Sequence, residues 1–294
     1  MQYYKVIGDL PIRFVIEMGL AACIEEWLPM ARRLQKYGGV LLYERYGINR
    51  SPLSEKERTP FNIANELHEL VNSINHEDKL MIIAHSQGGL YAQQYARLFS
   101  NEIGGMILID PLSARDYEFK EKLTDKEYRK SGVDKSQNLI YMDKLAKLKL
   151  GWLIKAMMKS APPFCYTHDF SEEEKATILN SYVKSTHLRS AYSEYVLAHE
   201  TAHIESLIKK GSFPDIPLIL ITHDSKYAIE ESMKYGNNSE EFAYKIEKMW
   251  QELMKDYLKY SSKAECIQAK NSGHYIHLSE PELIINEVDR LILE

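Results

Sequence analysis

Six short apolar runs rich in β-branched residues punctuate the chain, at Phe14–Glu17, Val40–Tyr43, Leu80–Ala84, Met106–Ile109, Pro217–Thr222 and Glu265–Gln268. Their near-continuous apolar character fits strands buried on both faces, as in a parallel sheet. Helical patterns lie between most of them, at Cys23–Tyr37, Asn62–Ile74 and Gly89–Ser100. A further helix over about 239–260 gathers Phe242, Ile246, Met249, Trp250, Leu253, Tyr257 and Leu258 on one face. The last helix is expected to start at Ser279, with a capping box to Glu282 and Pro281 in its first turn. Strand–helix alternation predicts an α/β fold, a mostly parallel central sheet with helices on both faces.

The alternation fails in one place. From Leu112 to Pro214 no strand pattern occurs, only helical segments broken at SGVDKS (131–136) and APPF (161–164). We therefore expect a core formed by residues 1–111 and 215–294 and a helical cap, 112–214, over the sheet's C-terminal edge. No internal repeat or low-complexity segment is visible.

Composition narrows the class. Of 294 residues, 45% are hydrophobic and 27% charged, as in a globular protein with a real core. A net charge of -5 points away from nucleic acid and anionic membranes. The N-terminal stretch is interrupted by Arg13 and Glu17, which argues against a signal peptide, and no apolar run is long enough to span a bilayer. Cys23, Cys165 and Cys266 are far apart and suit a reducing compartment, so a cytoplasmic location is expected. Oligomeric state is not legible.

Within KLMIIAHSQGGLYAQQYARLF, a strand leads through a sharp turn into an amphipathic helix. Ala84-His85-Ser86-Gln87-Gly88 matches the nucleophile-elbow pattern, with Ala84 in place of the usual first glycine. Small residues two before and two after the serine let neighbouring backbone come close. The turn lifts the Ser86 hydroxyl clear of the sheet and aims the Gln87 amide, with the helix dipole behind it, at a developing oxyanion. A serine hydroxyl needs a base. His274, in NSGHYIH after the last strand, returns to the same sheet edge and is preferred; His277, three residues on, reads as a surface residue. Two aspartates compete as the acid that orients the imidazole. Asp110 ends the strand after the elbow helix, and Asp224 follows the strand ending at Thr222. Asp110 is favoured because Asp224 comes early for curling under His274, and both stay open. In FVIEMGLAA, Gly19 permits close approach and the Leu20 amide is the candidate second oxyanion donor. Arg45 and Gly47, in YERYGINRS, read as structural.

EMGL, the trailing Trp27, YERYGINRS, AHSQGG, MILIDP, PLILITH and SGHYIHLSEPE occur in this order. Together they resemble a capped member of the α/β-hydrolase superfamily from Phe14 onward. The resemblance implies the α/β-hydrolase fold, a Ser–His–acid triad that hydrolyses esters or related acyl bonds of a small-molecule substrate, and no cofactor or metal. It leaves Asp110 against Asp224 open. Departures are Ala84, a short N-terminus that lacks room for an outer strand, and a long helical piece between the last two strands. The serine at the elbow disfavours an aspartate-nucleophile epoxide hydrolase or dehalogenase. A non-catalytic, ligand-holding relative and other serine-triad chemistry, such as C–C cleavage, are alternatives.

A rival motif is present. His199-Glu200-Thr201-Ala202-His203 matches H-E-x-x-H on a predicted helix, where two histidines four apart could hold zinc with Glu200 as general base, the alternative reading of the chain as a metalloprotease. No third-ligand extension follows, and the motif falls inside the expected cap. The preferred reading turns Val196, His199, His203 and Leu207 inward, with the two histidines either lining a substrate pocket or sitting satisfied in the cap core. Trp152, Met157, Met158, Phe164, Tyr166 and Tyr195 suggest an apolar acyl or alcohol group.

Overall fold

A computed structural model describes residues 1–167, 169–200 and 212–293. Seven strands form one sheet: β1 (Tyr3–Ile7), β2 (Ile12–Glu17), β3 (Gly39–Glu44), β4 (His76–His85), β5 (Ile103–Ile109), β6 (Leu218–Thr222) and β7 (Ala264–Gln268). Their spatial order is β1-β3-β2-β4-β5-β6-β7. All neighbours are parallel except β1, which runs antiparallel to β3 with Tyr3 opposite Glu44. An outer strand is therefore present, against expectation. Its mostly half-buried sequence YYKVI is that of an edge strand and carries a weaker apolar signal than the core runs.

The helices follow in chain order. α1 (Ile24–Leu34), α2 (Pro60–Val71) and α3 (Gln87–Leu98) connect the first strands. Between β5 and β6 lie α4 (Tyr117–Lys122), α5 (Asp125–Lys130), α6 (Ser136–Lys147), α7 (Gly151–Met158), α8 (Glu172–Ser181) and α9 (Ser185–Ala198), with no strand among the described residues. α10 (Ser225–Gly236) and α11 (Glu240–Met254) join β6 to β7, and α12 (Ile276–Ser279) and α13 (Pro281–Leu293) close the chain.

Period-two alternation divides the core strands between the two faces. Val15, Leu41, Ile82, Ala84, Leu108 and Leu220 face one side, packed with α2, α3 and α11 residues such as Leu67, Ala92 and Leu253. Phe14, Ile16, Leu42, Ile83, Ile107, Ile109 and Ile221 face the other, against Trp27 and Met30 of α1 and Ile284 and Val288 of α13. Because β2 to β7 run parallel, these strands end at one edge of the sheet, and the turns after β2, β4, β5, β6 and β7 lie there.

Two helical expectations need correction. The 239–260 helix ends as α11 at Met254 and tightens into a 3-10 turn at Lys255–Lys259, which seats Tyr257 in the core and leaves Leu258 partly exposed. The Ser279–Glu282 capping box does not form. Ser279 belongs to α12, where its hydroxyl donates to the Tyr275 carbonyl, and Glu282 pairs instead with Arg33.

Gly88 shows how tightly the elbow is packed. A Cβ there would lie 2.6 Å from the Met18 carbonyl oxygen and closer still to that of Glu17, both backbone atoms that cannot yield. Gly88→Ala should therefore lower stability by about 3 kcal/mol, read as a reduced denaturant midpoint at unchanged slope. A wild-type midpoint would contradict this packing.

Candidate active site

Ser86 lies between β4 and α3 with φ 53° and ψ -127°, a conformation that side-chain-bearing residues adopt only when neighbours hold them there. Its amide donates to the Ile109 carbonyl at 3.1 Å, and its own carbonyl accepts from Gly89 and Leu112 at 2.9 and 2.8 Å. Ala84 is fully buried in the sheet core opposite Glu17 and Leu108, so its methyl group is accommodated where glycine is usual. Ser86 itself is only half-buried between buried neighbours, which leaves its hydroxyl reachable.

His274 lies in the loop between β7 and α12. That loop is held from two sides: the Asp224 amide donates to the Ser272 carbonyl at 2.9 Å, and the Ser272 hydroxyl and Asn271 amide donate to Glu280 at 2.6 and 2.8 Å. His85, next to Ser86, pins it from a third. Its Nε2 is 2.8 Å from the His274 carbonyl, which can only accept, so His85 carries its proton on Nε2. Burial pushes the His85 pKa down to about 3, so the ring is neutral. His277 is a correction: it is buried rather than on the surface, stacked on Trp27 at 4.0 Å, and burial lowers its pKa well below the ordinary histidine value.

The structure brings Asp110, not Asp224, to His274. His274 Nδ1 lies 2.5 Å from Asp110 Oδ2. A carboxylate accepts, so the proton sits on Nδ1 and leaves the Nε2 lone pair free to take a proton from a nucleophile. The His274 side chain is 44% exposed and the Asp110 side chain only 2%. Among the described residues Ser86 Oγ makes no hydrogen bond. Asp224 instead caps α10, accepting from the Lys226 amide at 2.8 Å and the Tyr227 amide at 3.4 Å. On its other oxygen Asp110 accepts from the His223 amide at 3.1 Å and from His223 Nδ1 at 2.8 Å. Burial alone would raise the Asp110 pKa, but the His223 and His274 imidazoles outweigh it and hold the carboxyl well below the carboxylate range.

The loop after β2 reaches Ser86. A Cβ on Gly19 would lie 3.3 Å from Ser86 Cβ and 3.1 Å from His85 Nδ1. The Gly19 carbonyl is turned away by Arg45, whose Nη2 donates to it at 2.8 Å while Nη1 donates to the Met18 carbonyl at 2.7 Å. In a trans peptide the N–H points opposite to the C=O, so this grip turns the Leu20 amide away from Arg45. The Gln87 amide lies in the first turn of α3, where helix N–H groups lack intrahelical partners, and the Gln87 side chain is drawn aside to the Tyr91 hydroxyl at 2.5 Å.

Arg45 is more than a loop residue. Its fully buried guanidinium also donates to Glu17 at 2.8 Å and to Glu194 of α9 at 3.0 and 3.1 Å, and it lies 5.0 Å from the Tyr91 ring centroid. Burial pushes the Glu17 pKa up to about 7 against the pull of Arg45, and the Tyr43 hydroxyl donates to it. One cation thus ties the turn after β2 to the helical segment inserted between β5 and β6.

Other predicted site residues are placed differently. α9 ends at Ala198, with His199 as its C-cap, and the HETAH motif beyond Glu200 lies outside the described residues. His199 Nδ1 is 2.7 Å from the Tyr195 carbonyl and Nε2 is 3.1 Å from Asp116, so both ring nitrogens are engaged. His203 and Leu207 lie outside the described residues, and Val196 is partly exposed rather than inward. Trp152 and Met157 on α7 are exposed, and Tyr195 packs with Leu139 and Leu188 inside the inserted segment. Tyr166 does approach the base: its ring stacks on Tyr275 at 5.4 Å, and its hydroxyl donates to Glu231. Among the described residues, Cys23, Glu25 and Glu44 lie within metal-like spacing of one another, but Arg50 already bridges the two carboxylates at 2.8 and 2.6 Å. His85, His223 and the full reach of Arg45 escaped sequence reasoning. Their signal was their place at or just beyond strand ends β4, β6 and β3.

A parallel sheet with a strained serine turn after one strand, a histidine after another and helices inserted after β5 defines an α/β hydrolase. Residues 19–287 match the alpha/beta hydrolase family, and the chain belongs to it. The chain is 23% identical over 279 residues to the uncharacterized protein YqjL of Bacillus subtilis (strain 168), covering 94% of this chain and 82% of that one. An AB hydrolase superfamily protein of Gibberella zeae is 26% identical over 298 residues, covering 95% and 85%. In structure it is similar to one reported in a study of carboxylesterases of the thaumarchaeon Nitrososphaera gargenis, with a TM-score of 0.63, 15% identity and coverage of 99% and 94%. No helix among the described residues is long and apolar enough to cross a membrane.

Two outcomes follow. Arg45→Met would leave Glu17 buried without its cation and Glu194 with only the more distant Arg58, at 3.8 Å, and should cost about 3–5 kcal/mol, seen as a lower Tm; a Tm within a degree or so of wild type would argue against a structural role. His223 holds its proton up to about 10 rather than 6.5, because Asp110 and Glu247 outweigh the burial that would lower it. Its stabilisation is complete below pH ~6.5 and is lost as pH rises through about 10. The unfolding free energy of wild type minus that of His223→Asn should therefore shrink from pH 7 to pH 10 in urea titrations. A constant difference would be inconsistent with a charged His223.

Proposed function

We propose that this chain is a serine hydrolase that cleaves an ester or related acyl bond of a small, partly apolar molecule. His274 Nε2 takes the proton of Ser86 Oγ as that oxygen bonds to the substrate carbonyl carbon, while Asp110 holds the imidazole in register. The Gln87 and Leu20 amides stabilise the oxyanion. Collapse of the tetrahedral intermediate breaks the bond to the leaving group, which takes its proton from His274. Water, deprotonated by His274, then attacks the acyl carbon, and Ser86 leaves with the returned proton. The observation that carries the reading is the 2.5 Å bond from His274 Nδ1 to Asp110, next to a serine held in a strained turn.

The helices between β5 and β6 act as a cap on this reading, with Phe164 and Tyr166 on the side of the base. Likeness to a structure from a study of carboxylesterases supports ester chemistry. The three cysteines, none in a disulfide, suit a reducing compartment, and we extend the proposal to a cytoplasmic location.

A fluorophosphonate probe should label wild-type protein on the peptide carrying Ser86, and Ser86→Ala should neither label nor hydrolyse a short p-nitrophenyl ester. Asp110→Asn should lower kcat by roughly 10³-fold or more, whereas Asp224→Asn, which preserves the helix cap, should stay within about twofold of wild type. Labelling of a different residue, or full activity in folded Ser86→Ala, would overturn the assignment.

A further inference from the structure

Asp110 is the midpoint of a longer chain of hydrogen bonds. On one side it receives His274 Nδ1 at 2.5 Å, and on the other His223 Nδ1 at 2.8 Å. The far nitrogen of His223, Nε2, is 2.9 Å from Glu247 Oε2 on α11. Both ring nitrogens of His223 therefore face carboxylate oxygens, which only accept, so both must carry protons and the ring is an imidazolium. The Trp250 ring lies over it with centroids 4.1 Å apart, and its backbone carbonyl accepts from the Gln268 side chain. Glu247 is anchored in turn by Gln251 at 2.7 Å. His223, Asp110 and Glu247 are all buried. The neighbouring Asp224 carboxylate is turned to the α10 amides, and Asp110 separates His223 from His274, so the charges in contact with His223 are Asp110 and Glu247.

We propose that His223 and Glu247 are positioning residues for catalysis, a buried imidazolium–carboxylate pair that holds Asp110 ionised and oriented toward His274. The inference rests on the reading of Ser86, His274 and Asp110 as a triad. His223 fixes Asp110 by two donors, its amide and Nδ1, so that Oδ2 alone is left to meet the base. Glu247 balances the His223 charge, so the Asp110 charge still counts when the His274 imidazolium forms. Without Glu247, His223 would offset Asp110 and weaken that stabilisation. Without His223, two uncompensated carboxylates would face His274 from one side.

These roles have opposite electrostatic signs and can be separated. His223→Asn keeps a donor near the Nδ1 position but removes the positive charge. It should move the acidic limb of kcat/KM for a p-nitrophenyl ester upward, by about half a pH unit. Glu247→Gln removes a negative charge and should move the same limb downward by a smaller amount, with a reduced plateau. The 15N shifts of His223 in the wild-type protein should read as a doubly protonated ring at pH 8, a measurement that needs neither substrate nor a folded variant. Lower rates with an unmoved limb in both variants would reduce the pair to packing and overturn the proposal, as would a His223 neutral at pH 8. If Ser86→Ala keeps activity on the same ester, the triad reading itself fails. If Ser86→Ala is inactive while both variants keep the wild-type limb, only the positioning role fails.

Discussion

At Ser86 the backbone is held at φ 53° and ψ -127°, a conformation costing of order 1–3 kcal/mol, and the rest of the site depends on keeping it there. The restraint comes from neighbouring strands rather than from the turn itself. The Ser86 amide is tied to the end of β5 and its carbonyl to the segment just beyond, while the β2 carbonyls press on Gly88. A parallel sheet buried on both faces is stiff enough to store that strain. It also ends every core strand at one edge, so residues far apart in the chain become neighbours by register.

Charge is the second organising force. Arg45, Glu17 and Glu194 are buried together, which is unfavourable unless each hydrogen-bonding group finds a partner. Arg45 meets that demand with two carboxylates and two backbone carbonyls. Satisfying a buried cation and shaping the turn after β2 are therefore one arrangement. Because Glu194 belongs to α9, the inserted helices cannot leave their position without uncovering that cation. The same logic recurs around Asp110, where two imidazoles occupy the oxygens of one buried carboxylate.

Neighbouring residues at the shared sheet edge take different parts. His223 follows β6 and donates to Asp110 from both its amide and its ring, whereas its neighbour Asp224 is used to start α10. α10 and α11, the unusual helical pair between the last two strands, deliver Glu247 to the site and Glu231 to Tyr166 and the backbone beside His274. The long helical piece between the last two strands thus supplies part of the surroundings of His274.

By itself the sequence pointed to the six core strands, the sharp turn at Ser86, the strand-free stretch between β5 and β6 and the place of His274 beyond the last strand. Each is written in local chemistry: apolar runs make buried strands, Ala84 and Gly88 allow a close turn, and the strand-end position of His274 follows from its neighbours. It also held the edge strand β1, the α9 stop before His199 and the burial of His277, but these turn on packing against residues distant in sequence, and local periodicity misread them. Which of Asp110 and Asp224 meets His274 was decided by the tertiary structure. Both aspartates follow adjacent strands, and Asp110 meets a histidine 164 positions away. Only the register of β5, β6 and β7 decides which carboxylate arrives there. The same holds for Arg45 and His223, whose partners come from separate segments and whose charges have meaning only once burial has removed water from around them.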